Sequence, residues 1–187
     1  LPAAKIALYH PTMSMWLGDE DSNDSLLDIA RRLSEHQRDY DFIDDTSLGT
    51  LMTQKNGRLY NLSGQSYEAV LIPSVTAISK AALDQLRRFA ADGGSVIFLG
   101  RTPRMVVDRT FLDASPKPEL NWATIESTGR FTPDVTRVMP QPDVRLDRHY
   151  PDIKYLHRHL SDAELYFFFN EGNHSISFNT LLEGVGR

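Results

Sequence analysis

The sequence contains no cysteine. That single absence removes disulfides, thiolate zinc sites and cysteine nucleophiles together. Positive charge is scarce as well. Lys and Arg number 20 against 25 Asp and Glu, for a net charge of -5, so nucleic acid is not expected as a partner. Long apolar runs are missing too. The longest, Leu165–Phe169, is strand-sized and far short of the ~20 residues that cross a bilayer, so no membrane partner is expected. Neither a G-x-G-x-x-G nor a G-x-x-x-x-G-K-[ST] cradle occurs, and the acidic stretch "GDEDSND" opposes a phosphate group. We expect no cofactor. No leader peptide is visible. The sequence starts at Leu1, as after removal of a leader or as a piece of a longer chain.

What is there is a globular composition. Hydrophobic residues make up 41% and charged residues 24% of 187, enough for one domain and a small second one. "KIALYHP" reads as a first strand buried on both faces, and residues 12–23 read as a loop. Leu26, Ile29, Ala30 and Leu33 follow at i, i+3, i+4, i+7, the spacing of one helix face, with Asn23 or Asp24 as candidate cap. "DYDFIDD" is a second strand, Asn56-Gly57 a hairpin signal, and Ala69–Ile72 a third buried strand closed by Pro73-Ser74. Ser79 caps a helix whose apolar face is Ala82, Leu83, Leu86, Phe89 and Ala90, with Gly93 at its left-handed end. "SVIFLG" is the next strand. Continuous apolar strands alternating with helices predict a parallel sheet covered on both faces.

The pattern weakens after Arg104. The prolines of Met139–Asp143 read as a linker, which places a boundary between residues 1–142 and a β-rich segment at 143–187. In that segment Ile176 and Phe178 alternate with Ser175 and Ser177, as on an antiparallel strand. Three strands make a poor core alone, so the tail reads as the start of a β-sandwich or as a layer packed on the first domain. The run Tyr166–Phe169 reads as a buried strand rather than a stacking platform.

Ligands of open parallel sheets bind at the strand carboxyl ends, which here carry His10, Ser74 and Arg101. These are the candidate ligand-binding residues. A Ser74–His10–Asp45 grouping can be drawn, but no G-x-S-x-G elbow surrounds any serine, and serines and aspartates also cap helices and end strands. No catalytic residue is assigned. Histidines 157 and 159 would share a strand face and, with His149, would offer zinc ligands. Ordinary hydrogen bonding is the stronger expectation, and no metal ligand is assigned.

Three segments together resemble a known family. "KIALYHPTMSMW" and the stretch from "DYDFIDD" to "SVIFLGRTP" resemble the amidotransferase-like domain found inside several large glycoside hydrolases, a type that includes the trimerisation domain of family 42 β-galactosidases. "DIKYLHRHLSDAELYFFFNEG" resembles the Y-x-H-R…D-A-x-x-Y-F-x-x-N stretch of glycoside hydrolase family 106, the α-L-rhamnosidases, through Tyr155, His157, Arg158, Asp162, Ala163, Tyr166, Phe167 and Asn170. The resemblance implies a flavodoxin-like or amidotransferase-like parallel sheet with helices on both faces, followed by a short antiparallel β segment. It implies a parent glycoside hydrolase, extracellular or periplasmic, whose (β/α)8 barrel lies upstream and carries the acidic catalytic residues, with a β-sandwich downstream. The segment itself would be non-catalytic. Its partners would be those domains of the same polypeptide, with carbohydrate a further candidate. The alternative is a free-standing flavodoxin-like or amidotransferase-like domain that binds a small polar ligand at His10, Ser74 and Arg101. True glutamine amidotransferases carry a cysteine nucleophile, which this sequence lacks. Gly100 then reads as a backbone turn and Arg101 as a salt-bridge or domain-contact residue.

Overall fold

A computed structural model describes residues 1–184. Strand β1 (Ile6–Tyr9) leads into the short helix α1 (Thr12–Trp16) and then α2 (Glu20–Glu35), followed by β2 (Tyr40–Ile43). A small antiparallel sheet, β3 (Thr53–Lys55), β4 (Arg58–Tyr60) and β5 (Ser66–Tyr67), precedes β6 (Ala69–Ile72), β7 (Ala77–Ser79) and α3 (Lys80–Ala91). Next come β8 (Ser95–Leu99), β9 (Met105–Val107), β10 (Ser115–Pro116), β11 (Thr124–Glu126) and α4 (Pro133–Val138). The tail holds β12 (Val144–Leu146), β13 (Ile153–His159), β14 (Glu164–Asn170) and β15 (Thr180–Leu182).

The central sheet has five strands in the order β11-β8-β6-β1-β2, and every pairing in it is parallel. Residues alternate strictly between two cores. Ala7, Tyr9, Val70, Ile72, Val96 and Phe98 face α3 through Leu83, Leu86 and Phe89. Ile6, Leu8, Ala69, Leu71, Ile97 and Leu99 face α2 through Leu26, Ile29 and Leu33, and also Val135 and Met139 from α4 and its end. Helices therefore cover both faces, which explains the unbroken apolar strands. Each large side chain buried this way contributes about 1.5–3 kcal/mol. Helix α3 begins where Ser79 Oγ accepts a hydrogen bond from the Ala82 N–H at 3.1 Å. It ends at Gly93, whose φ of +100° suits the left-handed cap.

Several local expectations are corrected. Residues 12–16 form a helix rather than a loop, and α2 starts at Glu20, ahead of the expected cap. The sheet gains a fifth strand, β11, from a stretch without strand signal. Residues 175–179 form no strand. Phe178 instead packs against Tyr150 and Phe168, at ring separations of 5.8 Å each. The last antiparallel strand is β15, paired with β12.

The tail is bound to the first layer by polar contacts. Leu1–Ala3 run along β13: the His159 N–H donates to the Leu1 carbonyl at 2.8 Å, and Pro2 bridges Arg158. The buried Gln37 amide donates to the carbonyls of Tyr150 (3.0 Å) and Ile153 (2.7 Å). Tyr166 and Phe168 on β14 turn toward the protein, but Phe167 is 58% and Phe169 42% exposed. The expected fully buried aromatic strand is buried on one face only. Among the described residues, no helix is long and apolar enough to cross a membrane.

Candidate functional site

The crossover after β1 runs over one face of the sheet through α2, and the crossover after β6 over the other through α3. The exits of β1 and β6 thus flank the crevice where ligands of such sheets bind. Helix α1 lies across those exits. Its buried Ser14 hydroxyl accepts from the N–H groups of Thr76 (2.9 Å) and Ala77 (3.1 Å) and donates to the Ala77 carbonyl (3.2 Å).

Asp19, at the start of α2, closes the corner further. One carboxylate oxygen accepts from Arg101 Nη2 at 2.5 Å, Thr76 Oγ1 at 2.6 Å and Ser22 Oγ at 2.7 Å. Burial pushes this carboxyl up, but the hydrogen bonds from Thr76, Ser22 and Arg101 outweigh it and hold the group below the ordinary carboxylate range. Arg101 also pairs with Asp21 at 3.0 Å, so its charge is already matched twice from within the chain.

The three sequence-predicted residues do not converge. Ser74 and Arg101 are neighbours: Ser74 Oγ accepts from the Arg101 N–H at 3.1 Å. Both line an open groove of about 480 Å³ with Asp21, Asp24, Asp28 and Thr128. His10 is not among the residues that line this groove. Its Nδ1 meets Thr12 Oγ1 at 2.9 Å and its ring packs edge-on to Phe42. Asp45 accepts from the Tyr9 hydroxyl at 2.5 Å and the Ser79 N–H at 2.7 Å. A Ser74–His10–Asp45 relay is therefore not assembled.

A second polar cluster lies where the tail meets the sheet, and two of its members escaped the sequence reading. Asp143, in the linker, is buried. It accepts from the Tyr155 hydroxyl at 2.5 Å and meets His157 Nδ1 through its other oxygen. His157 Nε2 faces Glu164 Oε2 at 2.8 Å, and His159 Nδ1 faces the same oxygen at 2.7 Å. The Tyr166 ring stacks on His157 at 3.9 Å. Burial, then Asp143, push the Tyr155 phenol up. Nearby, burial and Asp41 raise the Asp39 carboxyl to about 6, and one of its oxygens is buried without a hydrogen-bond partner. Glu164 was findable. A turn over Leu160–Ala163 sets it directly opposite His159. His149, the expected third histidine, stacks instead on His36 at 4.7 Å.

Both polar sites fall within a family match: the profile described as alpha-L-rhamnosidase covers residues 12–183. The chain belongs to the alpha-L-rhamnosidase family. Among solved structures it is similar to a rhamnosidase from Novosphingobium sp. PP1Y, with 18% identity and a TM-score of 0.57 over 89% of this chain and 17% of that one. It is also similar to an apo exo-carrageenase GH42 from Bacteroides ovatus, with 12% identity and a TM-score of 0.61 over 97% of this chain and 25% of that one. This rhamnosidase-family chain thus spans a quarter or less of the length of those structures, and at such identities the likeness is one of fold. No curated protein sequence matches.

Proposed function

We propose that this chain is a non-catalytic scaffold within a rhamnosidase-like glycoside hydrolase, an amidotransferase-like α/β layer joined to the opening strands of a β-sandwich. The observation that carries the reading is the corner at Ser14, Asp19 and Arg101. Ser14 ties α1 across the exits of β1 and β6, and the Arg101 guanidinium beside the open groove is already paired with Asp19 and Asp21. The strand order, numbered along the chain as 2-1-3-4-5, is the order of flavodoxin-like sheets and supports the fold assignment. A (β/α)8 barrel alone needs ~250 residues, more than the 187 here, so the hydrolytic centre is assigned to another part of the polypeptide.

The open side of the hairpin supports the partner assignment. Leu156, Leu165, Phe167 and Phe169 share one face of the β13–β14 pair and are all exposed. A continuing sandwich of the same polypeptide would cover them. The test is hydrolysis of aryl α-L-rhamnosides: the full-length parent turns them over and the isolated chain does not. Hydrolysis by the isolated chain overturns the proposal.

A second reading keeps a small polar ligand in the groove beside Ser74 and Arg101, favoured by its volume of about 480 Å³. It requires saturable binding that Arg101→Ala weakens. The paired state of Arg101 and the absence of His10 from the groove's lining argue against it.

A further inference from the structure

We propose that the β13–β14 hairpin carries a zinc site formed by His157 Nε2, His159 Nδ1 and a carboxylate oxygen of Glu164. Strand alternation puts His157 and His159 on one face, and the antiparallel register sets Glu164 opposite His159. The three candidate ligand atoms all lie within 4.8 Å of one another. Two imidazoles and one carboxylate suit Zn²⁺ better than Ca²⁺ or Mg²⁺, which take oxygen ligands.

The proton count around His157 strengthens the case. Both of its ring nitrogens face carboxylates, Asp143 at Nδ1 and Glu164 at Nε2. A neutral imidazole has only one N–H. If that hydrogen goes to Asp143, then Nε2 and Glu164 Oε2 are two acceptors 2.8 Å apart. A second proton fits at this separation, and a tetrahedral zinc ion would take its place by widening the pair to roughly 3.3 Å. With the ion present, Nδ1–H donates to Asp143 and the Nε2 lone pair is free to ligate, the carboxylate–histidine–metal arrangement that fixes tautomer and ring direction. The rest is built to hold that ring still. The Tyr155 hydroxyl donates to Asp143, and Tyr166 stacks on the imidazole.

An entry path exists as well. His157 is buried, but His159 and Glu164 reach the surface. Solvent that reaches the exposed His159 and Glu164 would complete the coordination. The ion would tie both strands of the hairpin to the linker through Asp143.

The experiment uses the whole 187-residue chain, stripped with a chelator and titrated with ZnCl₂ at neutral pH by calorimetry, with a parallel thermal scan. The expected result is one ion bound per chain and a rise in Tm that saturates with zinc. His159→Ala and Glu164→Gln, both at exposed positions, remain folded by circular dichroism and lose binding by 10-fold or more; Asp143→Asn weakens it by roughly 10–100-fold through the ring it orients. His149→Ala leaves binding unchanged. Co²⁺ in place of zinc gives the absorption bands of a low-symmetry nitrogen–oxygen site. The proposal is overturned by absence of saturable binding, by an equal response to CaCl₂, or by binding that survives His159→Ala.

Discussion

Gly100 and Ser74 touch. A Cβ placed on residue 100 would lie 2.3 Å from Ser74 Oγ, and the Gly100 backbone sits at φ +106°. Only glycine adopts this conformation without strain, so the turn out of β8 and the Ser74 hydroxyl are fitted to one another. Gly100→Ala should cost about 2–4 kcal/mol from strain and overlap combined. Ser74→Ala should cost about 1 kcal/mol, for the hydrogen bond from the Arg101 N–H. The double variant should be less damaged than the sum, because removing the hydroxyl relieves the overlap. Urea denaturation of the three variants measures this, and simple additivity would refute the contact.

Asp19 is the second test of the corner. Its carboxylate takes hydrogen bonds from Arg101, Thr76 and Ser22, and truncation to alanine strands all three donors. Asp19→Ala should lose about 2–3 kcal/mol. The pH dependence follows from the direction of the shift. The folded state holds this carboxyl below its ordinary value of 3.8. The stabilisation is therefore fully present above that value and is lost as pH falls through the lower, folded-state value. Wild type should show a steeper acid loss of stability than Asp19→Asn. Equal slopes in an acid titration followed by circular dichroism would contradict the network.

Asp39 predicts the opposite sign. Burial and Asp41 raise its carboxyl from 3.8 to about 6, so the folded chain binds this proton more tightly than the unfolded chain does. Above pH 6 the ionised group costs stability, and the cost disappears as pH falls toward 3.8. Asp39→Asn should therefore stabilise the chain by about 1–2 kcal/mol at neutral pH and by little near pH 4. Arg158 lies 4.0 Å from the carboxylate and offsets part of the cost, so Arg158→Ala should enlarge the asparagine gain.

Much of the architecture was legible because it rests on local periodicity. Leu26, Ile29, Ala30 and Leu33 line α2, and Ala82, Leu83, Leu86 and Phe89 line α3, where the helical spacing put them. The elements that escaped are those with tertiary causes. Helix α1 has only five residues and is held by Ser14 bonding to Thr76 and Ala77, more than sixty positions away. Strand β11 is an edge strand of three residues with Ile125 half exposed, so it carries no apolar run. At the candidate site, the spent character of Arg101 was readable in kind but not in partner, since Asp19 lies 82 positions distant. That the His10 ring meets Thr12 and Phe42 rather than the groove was not readable, because a strand-end side chain takes its direction from neighbouring strands. The Glu164–His159 juxtaposition was readable from hairpin register alone.

The exposed side of β14 separates a chain that stands alone from one that is part of a larger assembly. Phe167 and Phe169 are more than 40% exposed, with Leu165 beside them at 49%. Exposed side chains contribute little to the fold that carries them, so Phe167→Ser with Phe169→Ser should change the Tm of the isolated chain by only a degree or two, within the range of surface substitutions. If the face is the inner surface of a sandwich completed elsewhere in the polypeptide, the same pair removes two buried aromatic rings from the full-length parent, at about 3–5 kcal/mol each before relaxation. The parent should then unfold several degrees lower while the isolated chain does not. The isolated chain should also bind a hydrophobic dye less after the change, because the dye's surface is gone. A parent whose Tm is unmoved would mean that the hairpin face meets water there as well, and the sandwich assignment would fall with it.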